Sequence, residues 1–188
     1  ILGVSIALSI ANFLIHSALF SKYIEILSIF ILATSPIVMG TGIFLILRPF
    51  INLEILTPII VILINATMSL PFILRALLPA MNKVSSDVGK LSDSLSIIGF
   101  NRFKIIIFPN IFPVVSFCMG LGCALSMGDL GVITLFSFGD IQTLPLAIFR
   151  LMMSYKMDYA FSGSVLLIIL CFFLFYIFDN IGKLYASS

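Results

Sequence analysis

The stretch Leu78–Pro113, LPAMNKVSSDVGKLSDSLSIIGFNRFKIIIFPNIFP, is the one long polar interruption in a chain that is otherwise almost continuously apolar. From Val84 its apolar residues fall at Val84, Val88, Leu91, Leu95 and Ile98, spacings that set all of them on one face of a helix. The opposite face carries Ser85, Ser86, Asp87, Lys90, Ser92, Asp93, Ser94 and Ser96. Gly99 stands where a helix ends in a left-handed residue, and Asn101 can cap the next one. The stretch therefore reads as a helix, a glycine turn and a second helix that enters the membrane at Pro109.

What flanks this stretch sets the class. Hydrophobic residues make up 61% of the chain and charged residues 10%, and the mean hydropathy is +1.27, values of an integral membrane protein. A spanning helix needs about 20 apolar residues. Uncharged or nearly uncharged runs of that length cover residues 1–20, 26–47, 55–74, 105–128 and 159–178. The expected fold is an all-α membrane protein with about five transmembrane helices and one cytoplasmic loop. Residues 1–188 form a single domain, with the loop at 78–108. The first run, opening on Ile1 with no basic leader, reads as part of a longer polypeptide.

Several local features shape those spans. Pro36 lies in the middle of the second run and predicts a kink, since it removes a backbone donor. Lys22 and Glu25 mark a turn after the first run, and Arg75 is expected to close the third, which carries Asn65, Thr67 and Pro71. In the fourth, Ser116, Gly120, Ala124 and Gly128 recur every fourth residue, a small-residue stripe that lets a neighbouring backbone come close; small residues are also simply common in membrane helices. Residues 129–158 are too polar for a clean span, but 144–153 suits a short interfacial helix. Phe172, Phe173, Phe175 and Phe178 in the last span are expected to face lipid or a neighbouring helix.

Basic residues orient the chain. Lys22, Arg75, Lys83, Lys90, Arg102, Lys104 and Lys183 fall on one side, against Arg48, Arg150 and Lys156 on the other. The positive-inside rule then puts the long loop in the cytoplasm, the amino terminus outside and the carboxyl terminus inside. Net charge is only +2 and the cations are dispersed, so no stripe suited to nucleic acid exists. Cys118, Cys123 and Cys171 lie in apolar runs without a CxxC or a histidine cluster, so neither a disulfide framework nor a metal site is expected.

No catalytic constellation is present: HExxH, GxSxG and the Walker lysine are all missing. An intramembrane hydrolase would need a Ser/His or paired-Asp arrangement that the lone His16 does not supply. An ion-coupled transporter would call for ionisable residues at the membrane midplane on broken helices. For the polar loop three readings compete: a helix lying on lipid, a plain connector, and an element that docks a cytoplasmic protein. A second candidate site is Ser126, Gly128 and Asp129. An acid at the end of a span is either solvated at the interface or part of a pathway, where it would attract a cation.

The residues Asp93, Ser94, Leu95, Gly99, Pro109 and Pro113 resemble the EAA loop of binding-protein-dependent ABC importer permeases, in which Glu-Ala-Ala-x-x-x-Gly precedes an apolar stretch and a proline. Asp93 stands for the Glu, and Ser94 and Leu95 for the alanines. The similarity is nearest to the bacterial thiamine and thiamine pyrophosphate branch, C-terminal half. It is carried by Ile31–Val38, Leu95–Phe100, Ala124–Val132 with Leu135 and Phe136, and Thr143–Pro145. Permeases for ferric iron, sulfate or polyamine share the loop. The resemblance implies a MetI-like transmembrane domain in the bacterial inner membrane and a non-enzymatic transport role driven by ATP. It implies cytoplasmic ATPase subunits that bind ATP and Mg, with no cofactor on this chain, a periplasmic substrate-binding protein and a second permease half. In that scheme Val88, Leu91, Asp93, Ser94 and Leu95 belong to a coupling helix that ends at Gly99 and is seated on the ATPase, within a coupling loop that runs on to Pro109.

Overall fold

The computed structural model describes residues 2–14, 26–28, 30–47, 49, 53–94, 103–131 and 143–186, with the backbone alone for 13, 14, 53–57, 88–94 and 186. All its regular elements are helical: α1 (Leu2–Leu14), α2 (Ile26–Ala33), α3 (Pro36–Leu47), α4 (Leu53–Ser94), a π turn (Phe103–Ile107), α5 (Phe108–Gly128), α6 (Leu144–Met153) and α7 (Met157–Ala186). Among the described residues, three helical stretches are long and apolar enough to cross a membrane, Pro58–Asp87, Phe103–Gly128 and Met157–Tyr185. The α2–α3 pair makes a fourth if counted as one span. The turn at Lys22 and Glu25, and His16, lie outside the described residues.

Two expectations about helix boundaries need correcting. Arg75 does not close the third helix, and no break separates it from the helix expected after Val84, because α4 runs unbroken from Leu53 to Ser94 past Pro58, Pro71 and Pro79. The physical reason is a continuous apolar face: Ile73, Leu77 and Met81 are each fully buried, and Val84 packs against the same core. Arg75 sits exposed on the far side of the helix, so its charge ends nothing. The second correction concerns Pro36. It opens a new helix instead of kinking an old one, and α2 and α3 meet at 89°. A proline is at ease in a first helical turn, where the missing N–H would have no partner anyway. Thr34 helps end α2 by donating its Oγ1 hydrogen to the Ile31 carbonyl at 2.8 Å.

The core is a three-helix contact. Val4, Ala7 and Ala11 of α1 meet Ile73, Leu74, Leu77 and Met81 of α4, and Ile107, Ile111, Val115 and Cys118 of the π turn and α5 close it. α1 comes close through residues spaced by four, Gly3, Ala7 and Ala11, all buried. At Gly3 a Cβ would stand 2.7 Å from Ser69 Oγ and 3.2 Å from the Ala66 carbonyl oxygen. The π turn sits directly before Pro109, which has no N–H to offer the preceding turn.

α5 and α7 form the other main seam. Ser116 donates its hydroxyl hydrogen to the Phe178 carbonyl oxygen. At Gly120 a Cβ would stand 3.1 Å from Phe175 Cδ2 and 3.4 Å from Phe175 Cα. Gly182 is the reciprocal small residue on α7. Phe175 and Phe178 thus pack on α5, whereas Phe172 and Phe173 remain exposed to the surroundings of the bundle. Interhelical hydrogen bonds of this kind in membranes average about 0.6 kcal/mol. Ser116→Ala is therefore expected to lower thermal stability by about that much, read as a small fall in Tm of the detergent-solubilised full-length protein.

Candidate functional site

The break between α2 and α3 opens onto a cavity of about 430 Å³. Its wall comes from Leu32, Thr34 and Pro36 at the break, from Asn65, Met68, Ser69 and Phe72 on α4, and from Ala124, Leu125, Ser126, Gly128 and Asp129 at the end of α5. The spacing of the α4 residues is that of one helix face. Non-helical backbone is tolerated at membrane depth where it lines such a cavity, and Thr34, between the two helices, is placed in that way. Ser126, Gly128 and Asp129, singled out from the sequence, all fall on this wall.

Asp129 is where α5 ends. Its backbone leaves the helix with φ −80° and ψ 110°, and its Oδ1 accepts a hydrogen bond from the Gly131 N–H at 2.9 Å. This local bond fixes the carboxylate at the cavity rim. Ser126, one turn earlier, accepts from Asn65 Nδ2 at 3.2 Å. That contact is a side-chain bridge between α4 and α5.

Beyond the bridge lies a second cavity, of about 480 Å³. It shares Asn65, Ser69 and Ser126 with the first, and is further lined by Leu2, Gly3 and Val4 of α1, by Ile73, Gly122 and Cys123, and by Thr143 ahead of α6. The Asn65–Ser126 pair is therefore the common wall of two chambers. Asn65 was visible in the sequence as a lone amide in an apolar run, a pattern that often marks a functional position in a membrane helix. Its pairing with Ser126 was not.

The small-residue stripe of α5 divides by function along its length. Ser116 and Gly120 face α7, while Ala124 and Gly128 line the first cavity and a Cβ at Gly128 would meet nothing within 4 Å. The loop residues fall elsewhere. Val88, Leu91, Asp93 and Ser94 lie on the last turns of α4, and Pro109 on the first turn of α5. Leu95, Ile98, Gly99 and Asn101 lie outside the described residues. The helix expected at 144–153 is present as α6, with Pro145 in its first turn. Among the described residues no group of three or more His, Cys, Asp or Glu side chains comes together as a metal site would require.

No protein-family model and no solved structure matches the chain. Curated relatives do. The chain is 38% identical over 150 residues to the thiamine transport system permease protein ThiP of Brucella abortus (strain 2308), a match covering 80% of this chain and 28% of that protein. It is 32% identical over 165 residues to the protein of the same name from Salmonella typhimurium, covering 88% of this chain and 31% of the relative. The Escherichia coli (strain K12) protein of that name is 32% identical over 160 residues, covering 85% and 30%. The chain thus spans about three tenths of the length of the curated relatives it matches. With its long apolar helices and this similarity along most of its length, the chain belongs to the ABC importer permeases, in the branch of the thiamine transport system permease proteins, and is a multi-pass segment of the inner membrane.

Proposed function

We propose that the chain is part of a permease subunit that carries thiamine or thiamine pyrophosphate inward by ATP-driven alternating access. The observation that carries this reading is the 32–38% identity to proteins named for thiamine transport over at least 80% of the chain. In this reading residues 78–108 meet a cytoplasmic ATPase that binds ATP and Mg. A periplasmic binding protein delivers the substrate, and a second permease half completes the pathway. The chain itself carries out no bond chemistry.

The geometry gives the scheme a mechanical basis. Asn65 of the cavity wall and Val88 and Leu91 of the loop stretch stand on the same helix, α4. At 1.5 Å per residue Leu91 lies about 28 Å along the helix axis from Phe72, the nearest α4 residue of the cavity wall, and about 39 Å from Asn65. A movement imposed on the loop end by ATPase closure is passed to the cavity by one continuous element. Such a movement switches access only if substrate and ATP each favour a different one of two arrangements.

Uptake of labelled thiamine, iron and spermidine, compared in cells with and without the full-length gene, tests the reading. Thiamine uptake alone is expected to disappear with the gene. Loss of iron or spermidine uptake instead would assign the permease to another substrate. Gly99→Val is expected to leave the protein in the membrane and ATP hydrolysis by the complex running, while thiamine uptake falls at least about tenfold, because a β-branched residue is ill suited to the left-handed turn that the sequence predicts at Gly99. Unchanged uptake and unchanged substrate-stimulated hydrolysis in that variant would remove Gly99 from the coupling device.

A further inference from the structure

The turn that joins α6 to α7 has an unusual backbone. α6 ends in a Schellman motif, in which the Lys156 N–H donates to the Leu151 carbonyl at 3.0 Å and the Tyr155 N–H to the Met152 carbonyl at 3.1 Å. The left-handed position of such a motif ordinarily belongs to glycine. Here it holds Tyr155, at φ 58°, the one non-glycine residue with positive φ among the described residues. Tyr155 is 88% exposed. A strained backbone position points to a role for the side chain it carries, and a ring held out at the tip of a turn fills no core. Its neighbours are of the same kind. α6 buries Leu146 and Ile148, the latter against Gly163 of α7, and leaves Phe149, Met152 and Met153 exposed, with Met157 and Tyr159 following on α7.

What covers this surface follows from α7. The apolar stretch Met157–Tyr185 has 29 residues, about 43 Å at 1.5 Å per residue, which matches a bilayer of about 40–45 Å counted with both headgroup layers. Met157 then stands at one headgroup layer and Tyr185 at the other. The α6–α7 turn lies in the interfacial layer, where tyrosine rings are enriched. The charge fits as well. Arg150 and Lys156 are exposed, and among the described residues neither is in an ion pair. Asp158 is the one acid between Thr143 and Gly163, and it sits in the first turn of α7, where the helix end favours a carboxylate. Basic residues are scarce on the side that the positive-inside rule assigns to the outside, yet two of its three, Arg150 and Lys156, stand at this turn. We infer that the α6–α7 turn is a docking surface for anionic phospholipid headgroups of the outer leaflet, with Arg150 and Lys156 toward the phosphates and Tyr155 and Tyr159 set in the layer just beneath them. The inference depends on the membrane placement of α7 and not on which substrate is carried.

Tyr155→Trp supplies a fluorescent reporter, read as the difference from the parent protein. The full-length permease with its ATPase is placed in nanodiscs of phosphatidylcholine and phosphatidylglycerol, and one lipid or the other carries bromine near the carboxyl end of its acyl chains. Brominated phosphatidylglycerol is expected to quench the added fluorescence about twofold or more more strongly than brominated phosphatidylcholine at equal mole fraction, because each cation near a charged surface favours an anionic lipid. The difference is expected to vanish at about 1 M NaCl, where charges are screened within about 3 Å. It is also expected to vanish when Arg150→Gln and Lys156→Gln are added. The Tm of that protein stays at the value for Tyr155→Trp alone, since both cations are exposed. Equal quenching by the two lipids in Tyr155→Trp would overturn the anionic preference and the inference with it. Quenching by soluble acrylamide but by neither lipid would show a surface that faces water, and quenching by none of the three would show one covered by the rest of the permease. Lipid quenching that is abolished when a periplasmic binding protein is added would make this a protein-docking face. Each of these three results would overturn the lipid surface.

Discussion

Gly182→Val is expected to separate α7 from α5 and to destabilise the bundle by about 1–3 kcal/mol, the range for forcing extra methyl groups into a packed interior. A Cβ at position 182 would stand 2.9 Å from Ser116 Cβ, 3.1 Å from Pro113 Cα and 3.2 Å from the Pro113 carbonyl oxygen. Two of those atoms are backbone of α5, which cannot swing aside as a side chain can. The damage reaches the neighbouring bond as well, since Ser116 is the residue that donates to the Phe178 carbonyl across the same seam. In lipid, apolar tails solvate a separated helix nearly as well as a packed one, so close van der Waals contact and these few hydrogen bonds carry the association. Thermal unfolding of the solubilised protein checks the prediction, with a clear fall in Tm for Gly182→Val. Gly42→Ala is the control: nothing lies within 4 Å of a Cβ at that position in α3, so a stabilisation of about 0.4–1 kcal/mol is expected. Equal Tm values for the two variants would mean that the α5–α7 seam is looser than its contacts indicate.

How much of this was readable beforehand depends on whether a feature is local or tertiary. The helical class, α5, α6 and α7 follow from run length, apolar composition and proline position, all of which act within a few residues. The extent of α4 does not. Arg75 and the polar residues after Leu78 look like a helix end when counted by polarity, yet the face Ile73, Leu77, Met81, Val84 runs past them, and burial of that face keeps the helix going. Pro36 announced an interruption, but whether a proline kinks a helix or starts a second one at 89° is settled by neighbours in space. The cavities were less legible still. Asp129 and Ser126 attract notice as polar residues near a span end, but Asn65 becomes informative only when its amide is found reaching Ser126 on another helix.

The same continuity of α4 gives the sharpest test of the coupling stretch. Val84, Val88 and Leu91 are spaced as one face of α4, but Val84 packs against the chain's own core, so the stripe begins inside this bundle before it reaches any partner. Inserting one alanine between Ser86 and Asp87 rotates every later residue of the helix by about 100° and leaves Met81 and Val84 untouched. If Val88 and Leu91 seat on an ATPase, each is worth about 1.5–3 kcal/mol when fully covered, and losing both weakens ATPase binding about a hundredfold or more. Co-purification of the ATPase is then expected to collapse while the Tm of the permease is nearly unchanged. Inserting four alanines turns the helix by about 400°, returning the stripe to within about 40° of its original direction, and is expected to recover much of the ATPase. A stripe that instead belongs to the chain's own core would reverse both readouts, with a large loss of Tm and an ATPase that still co-purifies. The dependence on helical phase separates a docking face from a merely lengthened connector, because a connector would tolerate one inserted residue at least as well as four.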